Sequence, residues 1–159
     1  MSGLKRSEVA VLVALWAVAH LGVAIAQGPT SPFAGNLVDP DAFMRLIKIE
    51  SWLKNWDSGQ GGWYDVLIAR DNAPYGLVLH WTRLFDLLVL LGAARLLLFG
   101  VGLHAALFVS GVAISPALHL AALFAVIWAF APIVGRDARP LLGLLFVAQP
   151  AVFSHFMAG

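Results

Sequence analysis

The sequence predicts an all-α fold, a polytopic bundle of membrane helices with a long first external loop that contains an amphipathic interfacial helix. Composition is the first observation: 60% of the 159 residues are hydrophobic and 12% are charged, against about one quarter charged in soluble proteins. The second is the distribution of charge, because twelve of the 19 acidic and basic residues (10 + 9) fall between positions 39 and 86. Long apolar runs flank this polar segment. We therefore expect the chemistry of the protein to lie there, at a membrane surface.

Length, net charge and cysteine content exclude several classes of protein. A chain of 159 residues has room for one domain, and its net charge of +1 argues against a nucleic-acid partner. Because the chain has no cysteine, disulfides, thiol catalysis and cysteine-based metal sites are excluded. The sequence also has no glycine-rich nucleotide loop, no Ser-His-Asp arrangement and no zinc-protease motif.

The first apolar segment, within residues 1–26, is predicted to be a membrane anchor. It runs from Val9 to Ala26 and can span, at about 1.5 Å per residue against roughly 30 Å of hydrocarbon. Ala24-Ile25-Ala26 has the form of a signal-peptidase site, but the apolar stretch exceeds a secretory signal, so we expect no cleavage. Lys5 and Arg6 predict a cytoplasmic N-terminus in the inner membrane, with residues 27–80 on the external, periplasmic side.

The external segment is predicted to begin as an irregular loop and to continue as an interfacial helix over residues 40–56. One apolar face repeats at helical spacing, and a polar group of side chains falls largely on the other side. We expect this helix to lie along the bilayer surface. The apolar face is Ala42, Leu46, Ile49, Leu53 and Trp56, and the polar side is Arg45 (near the boundary), Lys48, Ser51 and Asn55.

Residues 81–159 are predicted to be further membrane helices, with breaks at Gly100 and Pro116. The arginines at 136 and 139 indicate a cytoplasmic loop, so the chain must cross an odd number of times before it. Two arrangements satisfy this requirement, and sequence leaves both open. One has three short crossings at 84–99, 101–114 and 116–134; the other has two helices near the outer leaflet and one crossing at about 115–134.

Asp39 and Asp41 allow two interpretations. Asp39 is a good N-cap for a helix whose first residue is Pro40, and Asp41 suits the helix dipole. Alternatively, the two carboxylates hold Mg²⁺ or Mn²⁺, which prefer oxygen ligands and typically take one or two protein carboxylates together with phosphate and water. The two roles are compatible.

Four motifs in the external segment carry a resemblance to a known family. They resemble the first external loop of GT-C glycosyltransferases, and most closely that of the catalytic subunit of oligosaccharyltransferases. In that family an Asp-Pro is followed by an arginine six residues beyond the aspartate, and later by a Pro-x-Gly segment. The motifs here are Asp39-Pro40, Arg45, Trp63-Tyr64-Asp65, and residues 72–81, Asn-Ala-Pro-Tyr-Gly-Leu-Val-Leu-His-Trp.

The resemblance implies that the chain is the N-terminal part of such an enzyme. Residues 149–159 look like the lead-in to the family's second external loop, and the sequence stops before the acidic motif that follows there. The implied reaction transfers a sugar or oligosaccharide from a polyprenyl-phosphate-linked donor to an acceptor protein, lipid or glycan at the outer membrane face. Asp39 would bind the metal and orient the acceptor, Asp41 would assist, and the 159-residue piece alone would be inactive.

Four further residues are candidates for binding the donor phosphate. Arginine recognises phosphate in a bidentate manner, and the absence of a nucleotide loop fits a lipid-linked donor. A competing interpretation, from a different class, is a non-enzymatic membrane subunit whose external helix docks a partner protein, with both aspartates only capping. The four candidates are Arg45, Arg70, His80 and Arg83.

Overall fold

A computed structural model describes residues 4–37, 40–54, 67–68, 77–78 and 83–149 of the chain. This part is almost entirely helical, which confirms the all-α class. Two short strands, β1 and β2, pair antiparallel, with Leu67 opposite Val78. The elements are α1 (Arg6–Ala26), α2 (Pro40–Lys54), β1 (Leu67–Ile68), β2 (Leu77–Val78), α3 (Arg83–Leu98), α4 (Leu103–Phe130) and α5 (Arg139–Ala148).

In the described part, α1 and α4 are the two helices that are long and apolar enough to cross a membrane. They contain 21 and 28 residues, or about 32 Å and 42 Å at 1.5 Å per residue, against roughly 30 Å of hydrocarbon. Large apolar side chains on them are exposed, among them Val18 at 71%, Ile25 at 73% and Trp128 at 68%. Such exposure is costly in water and natural against lipid.

Both ends of α1 follow from local sequence. At its start, the backbone N–H of Lys5 donates to the Glu8 carboxylate at 2.8 Å, and an acidic residue in the first turn suits the helix dipole. At its end the chain enters two 3₁₀ turns, Gly28–Thr30 and Pro32–Ala34, and Gly35 adopts a left-handed φ of 80°. The irregular stretch predicted after the first apolar segment is thereby confirmed.

Pro116 lies inside α4 and does not break it, so the break predicted there was wrong. Proline removes one backbone hydrogen bond. In apolar surroundings, however, the remaining backbone groups have no water to bond with if the helix opens, so a continuous helix has the lower free energy. The Pro116 carbonyl also accepts a hydrogen bond from the indole N–H of Trp16, at 3.0 Å. The break predicted at Gly100 is present, since α3 ends at Leu98 and Gly100 has a φ of 80°.

The chain forms two compact units. The terminal unit comprises Met1–Val38 and Ser115–Gly159, and its core brings α1, the later part of α4, and α5 together. Gly143 lets α5 approach α1 closely, because a Cβ there would meet the Cδ2 atom of Leu12. The buried core residues are Leu12, Leu123, Ile127 and Val147.

The middle unit, Asp39–Ile114, packs α2, α3 and the first part of α4. Small residues allow close helix contact: Gly92 lies against Ser110, whose hydroxyl donates to the Val89 carbonyl at 2.6 Å. Gly111 lies under Leu46, whose Cδ2 would be 2.9 Å from a Cβ at that position. The buried core residues are Ile49, Val89, Ala93, Ala106 and Leu107.

Candidate functional site

A buried ion pair lies in the interior of the middle unit. Lys48 of α2 places its ammonium nitrogen 2.7 Å from Oδ2 of Asp86 in α3. The two side chains are 2% and 4% exposed. A charge this deeply buried is tolerated only when an opposite charge compensates it, because desolvation of an isolated ion costs several kcal/mol or more. The pair therefore ties α2 to α3.

Arg45 approaches the same carboxylate from one helical turn earlier. Its Nη1 atom lies 3.8 Å from Oδ1 of Asp86, and its guanidinium carbon lies 4.3 Å from the centroid of the Phe85 ring. This stacking over a ring face is a cation–π contact. Lys48 and Arg45 therefore both approach the Asp86 carboxylate. The Arg45 side chain as a whole is 21% exposed, whereas its Nη1 atom is buried.

The predicted apolar face of α2 is confirmed where the structure describes it, but the prediction for Lys48 was wrong. Ile49 is buried, and Leu46 and Leu53 pack against the core. Lys48, expected on the polar side, is 1% exposed. Helical periodicity treats a charged residue as exposed, and it carries no information about a carboxylate 38 residues away that compensates the charge.

A second, more exposed set of polar contacts surrounds Glu50 in α2. Its carboxylate accepts from Lys54 at 2.7 Å and pairs with Nδ1 of His104 in α4 at 3.2 Å. The hydrogen bond from Lys54 is the largest cause, followed by that from His104, and together they lower the pKa of Glu50 below its ordinary value. Lys54 and His104 are 64% and 84% exposed, so these are surface interactions.

Two of the six site residues predicted from sequence are described with their side chains. Arg45 contacts α3 through Asp86 and Phe85, and Arg83 is the first residue of α3. Helix α2 begins at Pro40, as predicted, and its first turn includes Asp41. The side chain of Asp41 and the whole of Asp39, Arg70 and His80 lie outside the described residues.

The metal site remains a prediction from sequence. Among the described residues, no group of three or more His, Asp or Glu side chains could hold a metal ion. The carboxylates predicted to bind Mg²⁺ or Mn²⁺, Asp39 and Asp41, belong to the part for which side chains are not described.

Sequence reasoning missed a contact between two histidines in the terminal unit. Nε2 of His20 in α1 and Nδ1 of His119 in α4 are 2.9 Å apart. His119 is fully buried. His20 itself could have indicated this contact from sequence. It is a polar residue within an apolar run, and ionisable residues inside such runs usually have a partner.

Comparisons of the chain with protein-family models, with curated proteins and with solved structures find no match.

Proposed function

We propose that the chain is the N-terminal part of a GT-C-type glycosyltransferase, integral to the cytoplasmic membrane. It would act on a polyprenyl-phosphate-linked sugar or oligosaccharide and transfer it to a protein, lipid or glycan acceptor at the outer face. The motif resemblance and the two apolar helices support the proposal. The observation that carries it is that Arg45, six residues beyond Asp39, lies on the helix that starts at Pro40 and contacts a buried carboxylate and an aromatic ring.

The geometry of α2 suits recognition of a phosphate near its N-terminus. Arg45 lies about 8 Å along the helix axis from Pro40, at 1.5 Å per residue, and side chains on a helix lean toward its N-terminus. Contacts with Asp86 and Phe85 restrict the guanidinium, so less conformational entropy is lost when it binds. Positive charge near a helix N-terminus provides a suitable environment for a donor phosphate.

In the proposed topology, α1 crosses outward, α4 crosses inward, and α2 and α3 stay on the external side. The length of α3 supports this arrangement: its 16 residues extend about 24 Å, less than the hydrocarbon thickness. Its Asp86 pairs with Lys48 of α2. A single crossing by α4 gives the odd number that the arginines at 136 and 139 require.

The proposed chemistry breaks the bond between the sugar anomeric carbon and the carrier phosphate oxygen. The phosphate leaves with the bonding electrons, and an acceptor nucleophile forms a bond to that carbon and loses its proton. Mg²⁺ or Mn²⁺, held by Asp39 with help from Asp41, would stabilise negative charge on the leaving phosphate. Arg45 would bind the phosphate, and the other candidates, Arg70, His80 and Arg83, would contribute to donor binding.

Transfer from a lipid-linked sugar, measured in the full-length gene product, tests the proposal. Asp39→Asn keeps the capping ability, because asparagine caps about as well as aspartate. We expect it to insert normally and to lose more than about tenfold in turnover. Asp41→Asn should lose less. Arg45→Lys keeps the charge but not the planar fork, so it should raise KM for the donor.

Arg95→Gln is the matched control, because Arg95 is an exposed residue of α3, and it should behave as wild type. Unchanged turnover and metal dependence in Asp39→Asn would overturn the metal-binding role. The aspartate would then only cap α2, and a non-enzymatic subunit that docks a partner through its external helix would be the better description.

A further inference from the structure

The histidine pair, His20 and His119, links α1 to α4 within the terminal unit. Their facing ring nitrogens are 2.9 Å apart, and the ring centroids are 5.1 Å apart at an angle of 63°. Both helices are long and apolar enough to span a membrane. Titratable groups inside such helices are expensive and are functional by default.

Aromatic groups surround the pair. The Trp16 ring centroid lies 5.1 Å from that of His20, one turn along α1. The Phe146 ring of α5 lies 5.5 Å from His119. The indole of Trp16 donates to the Pro116 carbonyl at 3.0 Å. A single cluster therefore joins all three helices of the terminal unit, and the histidine contact is at its centre.

The number of protons on the two rings determines whether this hydrogen bond can exist. A neutral imidazole has one N–H donor and one lone-pair acceptor, whereas a protonated imidazolium has two donors. With both rings neutral, or with one ring protonated, one facing nitrogen donates and the other accepts. With both rings protonated, both facing nitrogens are donors, the bond is lost, and two like charges repel within a buried contact.

We infer that the histidine pair is a proton-binding site that controls the contact between α1 and α4. The pair keeps the helices together while at least one facing nitrogen has a lone pair, and it separates them when both rings are protonated. The inference is independent of the proposed glycosyltransferase activity.

Protons reach the pair through His20. His119 is fully buried, whereas His20 is only partly buried. His20 lies six residues before the end of α1 at Ala26, or about 9 Å along the axis. The site therefore responds to the pH on the side of the membrane where α1 ends.

The other charged groups described on the three helices lie at helix ends, so double protonation places two like charges between apolar stretches of helix. Glu8 and Arg139 pair with each other at 4.0 Å, where α1 and α5 begin. His104 lies in the first turn of α4 and pairs with Glu50 of α2. The remaining charged residues described on or beside these helices are Lys5, Arg6, Arg136 and Asp137.

The test uses the whole chain in lipid nanodiscs, labelled with ¹⁵N in its histidine and tryptophan side chains. It is titrated from about pH 8 to about pH 3.5, through and below the range in which an exposed histidine titrates, because burial disfavours a charged imidazole. Trp16→Phe assigns the Trp16 indole resonance. We expect the His20 and His119 nitrogens to change together, and the Trp16 indole resonance to shift at the same pH as its hydrogen bond to Pro116 is lost.

Matched variants separate a proton site from ordinary packing. Glutamine donates and accepts without titrating, so His119→Gln and His20→Gln should each abolish the pH-dependent shift of Trp16. His104→Gln, at an exposed histidine of the same helix as His119, should keep that shift. The inference is overturned if the Trp16 resonance does not move, if its shift persists in His119→Gln, or if His20 and His119 titrate independently.

If a glutamine variant fails to fold, the wild-type titration alone decides the question. The inference holds if the His20, His119 and Trp16 resonances change at the same pH, and it is overturned if they do not.

Discussion

In the middle unit a charged pair, Lys48 and Asp86, lies inside the contact between α2 and α3, whereas aromatic nitrogen groups make the polar contacts between α1 and α4 in the terminal unit. These groups are an indole N–H and two imidazoles. The ion pair of the terminal unit, Arg139 with Glu8 at 4.0 Å, lies where α5 and α1 begin. In the terminal unit this ion pair lies at helix ends, although Arg139 is itself buried, and in the middle unit the ion pair lies along the contact between two helices.

The difference indicates how each unit tolerates polarity. A buried ion pair requires close geometry, and the 2.7 Å contact of Lys48 with Asp86 provides it between two helices that are not candidate spans. Neutral hydrogen bonds cost less to desolvate, and they occur where both partner helices are long and apolar. The ion pair therefore lies between helices that are not candidate spans, and the hydrogen bonds of the indole and imidazole groups lie between helices that are.

The largest expected effect is the loss of one member of the buried ion pair. Lys48→Met leaves the Asp86 carboxylate buried beside Arg45 at a longer distance, and we expect a loss of about 3–5 kcal/mol in the free energy of unfolding. Titration with denaturant in micelles, followed by circular dichroism, measures it. Lys54→Met is the control, because Lys54 is 64% exposed, and it should change stability by less than about 1 kcal/mol.

The double variant Lys48→Met, Asp86→Leu removes both charges and sharpens the comparison. It should recover most of the lost stability, because replacing a buried ion pair by apolar groups is often neutral or stabilising. A double variant as unstable as Lys48→Met alone would show that the pair contributes more than mutual compensation of charge. The contrast between the two units would then not be one of buried charge.

The second effect tests close packing in the terminal unit. A methyl group at Gly143 meets the Cδ2 atom of Leu12, whereas a methyl group at Gly22 in α1 would have no neighbour within 4 Å. Alanine at Gly22 should stabilise by up to about 1 kcal/mol through helix propensity. At Gly143 the overpacking cost of about 1–3 kcal/mol should outweigh that gain.

Thermal unfolding in the same micelles compares the two alanine variants. If Gly143→Ala is as stable as Gly22→Ala, then α5 moves away from α1 at little cost, and the tight core of the terminal unit is not what holds α5.

Sequence predicted the elements of this fold better than it predicted their polar contacts. Periodicity correctly identified the helix that starts at Pro40 and its buried Ile49, because the burial of an apolar face repeats locally. The burial of Lys48 depends on Asp86, 38 residues later, and no local pattern encodes that pairing. The continuity of α4 through Pro116 was missed for a related reason: local propensity was overridden by the surroundings of the helix.

For the candidate site, too, local spacing predicted the position of a residue on its helix but not its contacts with other helices. The position of Arg45 one and a half turns into α2 follows from helical spacing alone, but its contacts with Phe85 and Asp86 required the tertiary structure. The link between His20 and His119, across 99 residues, was not predictable from the spacing of either histidine on its own helix.

A smaller effect is expected when Trp16 loses its hydrogen bond. Trp16→Phe keeps an aromatic ring beside His20 but removes the indole donor to the Pro116 carbonyl. We expect a loss of about 0.5–1.5 kcal/mol in unfolding free energy. Trp128→Phe is the control, because Trp128 is 68% exposed on α4. Equal stability of the two variants would mean that the indole bond makes no net contribution.

The smallest effect is the pH dependence contributed by Glu50. Since its contacts lower its pKa in the folded state, Glu50 stabilises the protein at pH values above its unfolded pKa, about 4.3. That contribution is lost as the pH falls through the lower, folded value. Because Lys54 and His104 are mostly exposed, it should be below about 1 kcal/mol and should decrease with added salt.

Wild type and Glu50→Gln should therefore differ in stability near pH 6 and converge near pH 3, when unfolding is measured at both pH values and at two salt concentrations. A difference that stays constant over this range would mean that Glu50 acts through packing rather than charge. The surface of α2 would then contribute nothing electrostatic, in contrast to the buried pair of Lys48 and Asp86 on the same helix.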